Sequence, residues 1–222
     1  MLLKLKTILG ILNLLNVYNY GSGNPGDITG IGLGAAASPD YTKASLAFIR
    51  TTSYGRGDLI FCINSEGNAN TVTESDERLR ITSNGNIKIG GHSANRDMGG
   101  LSVQRLHIEG TDGGSSAIGL VNNQNSSGQA ALYFSKSRGT SVGSNTILQD
   151  GDPMGSLVFC GADGNDMISI GAQITASVNG TPGSNDMPGK LTFSVTADGA
   201  ATATERLRII STGVLQVNTT TA

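Results

Sequence analysis

The sequence predicts an all-β fold of elongated, repetitive sheet modules, and three observations carry that reading. The stretch ERLRITSNGNIKI at Glu77 recurs without a gap as ERLRIISTGVLQV at Glu205, with seven of thirteen residues identical. All five phenylalanines sit in the pattern Leu-x-Phe, which places both large side chains on one face of a strand. Glycine supplies 32 of 222 residues, Trp is absent, aromatics make up 5% and charged residues 14%. Such a chain has few large side chains for a wide globular core. With 37% apolar residues and a net charge of −2, it is nevertheless not a disordered composition. The near-neutral charge gives no electrostatic case for a nucleic-acid partner.

The elements follow in chain order. Residues 1–26 form an apolar leader and a linker. Lys4 and Lys6 precede an apolar run from Ile8 to Val17, and GSGNPGD then breaks the pattern. Three readings stay open for the leader: a signal peptide, an attachment segment, or a misassigned start. Residues 27–91 form a first β module, beginning GIGLG and passing ASLAFIR (Leu46, Phe48) and GDLIF (Leu59, Phe61) to the ERLRI motif. Within the motif, Leu79 and Ile81 share a face, as do Ile87 and Ile89. Asn84-Gly85 between them signals a hairpin turn of type I′. Residues 92–116 are a connector that carries a third partial copy, RLHI at Arg105.

Residues 117–222 form the second module, from AIGL through AALYFSK (Leu132, Phe134) and GKLTF (Leu191, Phe193) to the second motif. An insertion at about 139–188 carries its own pair, Leu157 and Phe159. Three of these strands open alike, with Gly57-Asp58-Leu59, Gly155-Ser156-Leu157 and Gly189-Lys190-Leu191. In the second motif Thr212-Gly213 holds the turn. Thr-Gly is a weaker type I′ signal, so a corner between strands that do not pair within one chain is the alternative.

A tandem repeat of about 60 residues means each unit is a module stacked on its neighbour. A module buries four to six large apolar side chains, on the order of 10 kcal/mol. Ordering its chain costs several times more. Association of identical chains covers the apolar strips and pairs the open sheet edges. A homo-oligomer is therefore expected, and three chains suit strips one side chain wide.

The ordered series ERLRITSNGNIKIGG, RLHIEG, KSRGTSVGSNTILQDGDPMGSLVFCGADGND and TPGSNDMPGKLTFSVTADG resembles the repeats of tailed-bacteriophage tail fibres and related virion fibres. The resemblance covers residues 28–222. It implies a trimeric β-prism or interwoven triple-stranded fibre, a structural role in host attachment, and location on the virion. Partners would be further fibre or baseplate proteins and a host surface glycan. Many relatives end in a self-cleaving intramolecular chaperone. This chain stops at TTTA after the repeat, which leaves a fragment, a released mature portion, or a fibre that assembles otherwise. The rival reading is a secreted or cell-surface carbohydrate-binding or adhesin-like β module.

Candidate chemistry is sparse, and the sequence predicts no enzyme, no cofactor, and no catalytic or metal residue; binding residues are not assignable. Gly139-Thr140-Ser141-Val142-Gly143 has the form of a nucleophile elbow but lacks the following helix. Arg56-Gly57-Asp58 spells RGD at the start of a strand. Asp163-Gly164-Asn165-Asp166 reads as a polar turn rather than a calcium site. His92 or His107 could place one ligand per chain on a fibre axis. Arg78 and Arg80, like Arg206 and Arg208, project opposite the leucine face, either as an interchain ladder with Glu77 or Glu205 or as a solvated face. Cys62 and Cys160 read as small buried thiols. Asn125, Asn179 and Asn218 are glycosylation acceptors in form. The Ser141–Asp152 stretch is the first candidate for receptor contact.

Overall fold

The structure, a computed structural model, describes residues 6–8, 11–13, 24–34, 42–90, 96–100 and 104–217. Among these, every regular element is a strand except two three-residue 3-10 turns, Ser53–Gly55 and Glu74–Asp76. The chain divides into two units. The first comprises Met1–Asn95 and Gln104–Ile118, the second Arg96–Val103 and Gly119–Ala222.

In the first unit β1 (Lys6–Ile8) and β2 (Ile11–Asn13) pair antiparallel, so the described part of the leader is a hairpin. A six-stranded sheet follows in chain order: β3 (Ile28–Leu33), β4 (Ala44–Arg50), β5 (Gly57–Ile63), β6 (Glu77–Ile81), β7 (Ile87–Ile89) and β8 (Leu106–Ile108). Neighbours are antiparallel until β8, the RLHI element, which joins β7 in parallel. Main-chain bonds from Ile87 to the Arg105 carbonyl and from Glu109 to the Ile89 carbonyl hold it there.

The ERLRI motif encodes a bulge. Phe61 faces Leu79, yet Cys62 faces Glu77, so Arg78 is an extra residue. Residues three apart in a regular strand point to opposite faces; the bulge puts Glu77 and Arg80 on the same one. Arg78 is thrown outward and is exposed, which corrects the expectation that both arginines project together.

The turn of the motif also differs from the expected type I′. Gly85 donates to the Thr82 carbonyl and Thr82 to the Asn86 carbonyl, and only Gly85 has positive φ, at 78°. This is a type I turn closed by a left-handed glycine. The second motif repeats it, with Gly213 donating to Ile210, Ile210 to Val214, and φ of 82°. The flanking strands do pair, so the corner alternative is excluded. Thr212 can replace Asn84 because that position keeps negative φ.

The second unit holds a five-stranded antiparallel meander: β9 (Pro153–Cys160), β10 (Ile170–Val178), β11 (Gly189–Val195), β12 (Thr204–Ile209) and β13 (Leu215–Val217). β12 has the same bulge, at Arg206: Phe193 faces Leu207 while Ser194 faces Glu205. Four Leu-x-Phe pairs lie on strands, β4, β5, β9 and β11. The fifth does not. Residues 117–136, read above as strands, carry no regular structure. The segment read as an insertion supplies β9 and β10 instead. Alternation marks which side chains share a face, but only a partner strand makes a strand, and here the chain provides none.

Two glycines explain the shared openings. A Cβ at Gly57 would lie 2.0 Å from the Ile49 carbonyl oxygen and 2.7 Å from the Phe48 ring. One at Gly155 would lie 2.5 Å from the Phe134 Cβ. Both are close-approach sites over which a phenylalanine is laid.

Candidate functional site

Register decides which side chains meet. In the first sheet Ile31, Leu46, Phe61, Leu79, Ile89 and Ile108 form one continuous row across all six strands. Beside it run Phe48, Leu59, Ile81, Ile87 and Leu106. This face is open: Phe48 is 39%, Phe61 36%, Ile81 37% and Leu106 53% exposed. The core of the unit lies on the opposite face, where Ala47, Ile49, Ile60 and Cys62 are buried beneath Val72 of the 64–76 loop. The second sheet has the same design. Leu157, Ile174, Phe193, Leu207 and Val217 form one row, and Ala176, Leu191, Ile209 and Leu215 the next. Leu157, Leu191, Ile209, Leu215 and Val217 in them are exposed. Its other face is polar, with Ser156 and Thr175 hydroxyls 3.0 Å apart and the Thr192 hydroxyl donating to the Thr175 carbonyl.

The two motifs differ in electrostatics. Arg80 is buried, and its guanidinium donates to Asp58 at 2.9 Å and to Glu77 at 2.5–3.1 Å, with Glu74 at 3.7 Å. The Glu77 hydrogen bonds hold the guanidinium well above its ordinary pKa against the opposing effect of burial. Asp58 also accepts from the Ser83 main chain. Lys88 is buried on the same face, and burial, with Arg80 nearby, pushes its pKa down. In the second unit Arg208 pairs with Glu205, its one ion-pair partner among the described residues, and both are partly exposed. The position matching Asp58 is Lys190, which offers no second carboxylate. Glu77 and Arg80 are satisfied within the chain and are among its most buried charges, which corrects the solvated face for that pair; Arg78 is exposed, as the solvated face expects.

Residues 118–136 are the third feature. Among the described residues, no main-chain to main-chain hydrogen bond outside the strands involves this stretch. Yet it carries Ile118, Leu120, Val121, Leu132 and Phe134, all more than half exposed. Twice its apolar residues stand two apart, the spacing of a strand face.

The fold is shared with a bacteriophage tail-fibre domain. Over 99% of its length the chain superposes on the carboxy-terminal domain of the bacteriophage T5 L-shaped tail fibre with its intramolecular chaperone domain, with TM-score 0.72 and 15% identity. The chain spans 62% of that structure's length. A second structure of the T5 carboxy-terminal domain matches 98% of the chain and 90% of its own length, with TM-score 0.67 and 15% identity. No family model matches the chain, and no curated protein matches it.

The remaining candidates fall as follows. Asp58 of the RGD tripeptide is tied to Arg80 and Ser83 and is not presented to solvent. Ser141 lies in an irregular turn, its amide donating to the Ser144 hydroxyl. Asp163 accepts from the amides of Asn165 and Asp166, which spends its carboxylate on the turn. His107 is buried on the charged face, its Nε2 3.6 Å from Glu109; His92 and Asn218 lie outside the described residues. Among the described residues no group of three His, Cys, Asp or Glu gathers. Cys62 is buried, and burial pushes its thiol pKa up; Cys160 is only half-buried. Ser144 to Leu148 of the Ser141–Asp152 stretch line an open groove of about 660 Å³ with Ser135, Ser137, Ser184 and Met187. Arg138 and Asp152 brace it through a bidentate pair at 2.5 and 2.7 Å.

Proposed function

We propose that the chain is a structural segment of a phage tail fibre, carried on the virion and acting without catalysis. The observation that carries this reading is the pair of open Leu/Phe faces, in a fold shared with a tail-fibre domain. Within each unit, three copies would turn these faces toward one another, giving a β-prism. The 118–136 stretches of the copies would pair with one another, giving an interwoven section. The main-chain groups and apolar residues that one chain leaves open would be satisfied by its copies. Further fibre or baseplate proteins would hold the ends, and contact with a host surface glycan would fall to the hydroxyl-lined groove. Light scattering tests the reading. Three chains of 22.7 kDa give about 68 kDa; a cooperatively folded species at the mass of one chain overturns it. Adsorption of the purified segment to host cells, blocked by cell-surface oligosaccharide, tests the receptor role.

A further inference from the structure

The Lys43 ammonium is seated among four oxygens of the loop that follows β5. Its Nζ lies 2.7 Å from the Asn70 carbonyl, 3.1 Å from the Glu66 carbonyl, 3.4 Å from Asn64 Oδ1 and 3.5 Å from Asn68 Oδ1. An ammonium has three protons, so four oxygens exceed what it can fully satisfy. The amide oxygens are aimed at the ammonium by carboxylates behind them. Asn64 Nδ2 donates to Asp76 at 3.2 Å, and Asn68 Nδ2 donates to Glu66 Oε2 at 2.5 Å. Contributors stand two residues apart, side-chain and main-chain oxygens alternating, and a run of such hard oxygens is how a loop wraps a hard cation.

We infer that the Asn64–Asn70 loop is a cation-binding loop whose resident cation is the chain's own Lys43 ammonium. The loop is closed by a tethered charge and not by a dissolved ion. Its closure brings Val72 onto Ala47, Ile49, Ile60 and Cys62, with the Val72 amide donating to the Thr42 carbonyl beside Lys43. The loop after β11, TADGAATAT, has no asparagine, so the device belongs to the first unit alone. Two consequences separate this reading from an ordinary surface lysine. The unmodified protein ignores calcium and chelators at this loop. With the ammonium removed, the vacated oxygens accept a hard divalent or trivalent cation at millimolar concentration or below.

The test uses the purified 222-residue chain in whatever association state it adopts. In the parent protein, acetic anhydride labelling read by peptide mass spectrometry is expected to modify Lys43 at least tenfold more slowly than the exposed Lys136. Lys43→Met is expected to melt several degrees lower in EDTA and to regain at least half of that loss in 10 mM calcium chloride. Terbium luminescence should appear in Lys43→Met and not in the parent. Equal labelling of Lys43 and Lys136 overturns the inference even where the variant fails to fold. A variant that melts like the parent in EDTA, or that folds and binds neither calcium nor terbium, overturns it as well.

Discussion

Arg80 and Arg208 occupy the same place in two copies of one motif, and their surroundings set what each contributes. Arg80 serves two buried carboxylates, so its loss removes the cation hydrogen-bonded to Asp58 and Glu77 and leaves both to the nearby Lys88 charge. Arg80→Met is expected to cost about 3–5 kcal/mol. Arg208 pairs with the half-exposed Glu205, and Arg208→Met is expected to cost much less. Urea titrations at matched chain concentration compare them; equal costs would show that the Asp58 contact adds nothing. Acid sensitivity belongs to this scale too. Asp152 is held well below the usual carboxylate pKa, first by the Arg138 hydrogen bonds and then by the Gln149 amide. Asp76, Asp112 and Asp163 are lowered as well, each chiefly by main-chain amides. A carboxylate depressed in the folded state binds protons more readily once unfolded. Its contribution is therefore complete above its unfolded pKa of about 4 and is lost as pH falls through the folded value. Melting temperature is expected to fall below about pH 4, less steeply in Asp152→Asn. Identical profiles would remove Asp152 from the account.

At the scale of elements, the motif specifies a bulge, a turn and four positions on the Leu/Phe face in thirteen residues. The turn demands glycine only where φ is positive. Gly85→Ala and Gly213→Ala are each expected to cost about 1–2 kcal/mol, whereas Asn84→Thr and Thr212→Asn should be nearly neutral. Thermal melts of the four variants check this; a large loss from Asn84→Thr would restore the type I′ reading. The bulge was not legible from alternation, because strict period two puts Arg78 and Arg80 on one face. The available signal was Glu and Arg three residues apart, a spacing that no regular strand can pair. Asp58 was beyond reach by the same route: it lies 22 residues from Arg80, and only the β5–β6 register brings them together.

For the whole molecule, the proposed trimer rests on the open rows. Covering the exposed part of each row residue is worth about 0.5–1 kcal/mol, and the first sheet alone presents two rows of them. Phe48→Asp with Phe61→Asp places charges on that face without touching the Ala47–Cys62 core. The double variant is expected to fall from about 68 kDa toward the 22.7 kDa of one chain, read by light scattering. Retention of the larger mass would move the contact away from this face.

By itself the sequence determined the all-β class, the repeat and the pairing of Leu with Phe on shared faces, because period and turn chemistry are local properties. Tertiary structure decided which face each pair occupies, that Arg80 pairs within its own chain, that the assumed insertion supplies β9 and β10, and that 117–136 carries no strand. Each of these depends on which distant segment lies alongside, and alternation repeats identically along every strand while naming no neighbour.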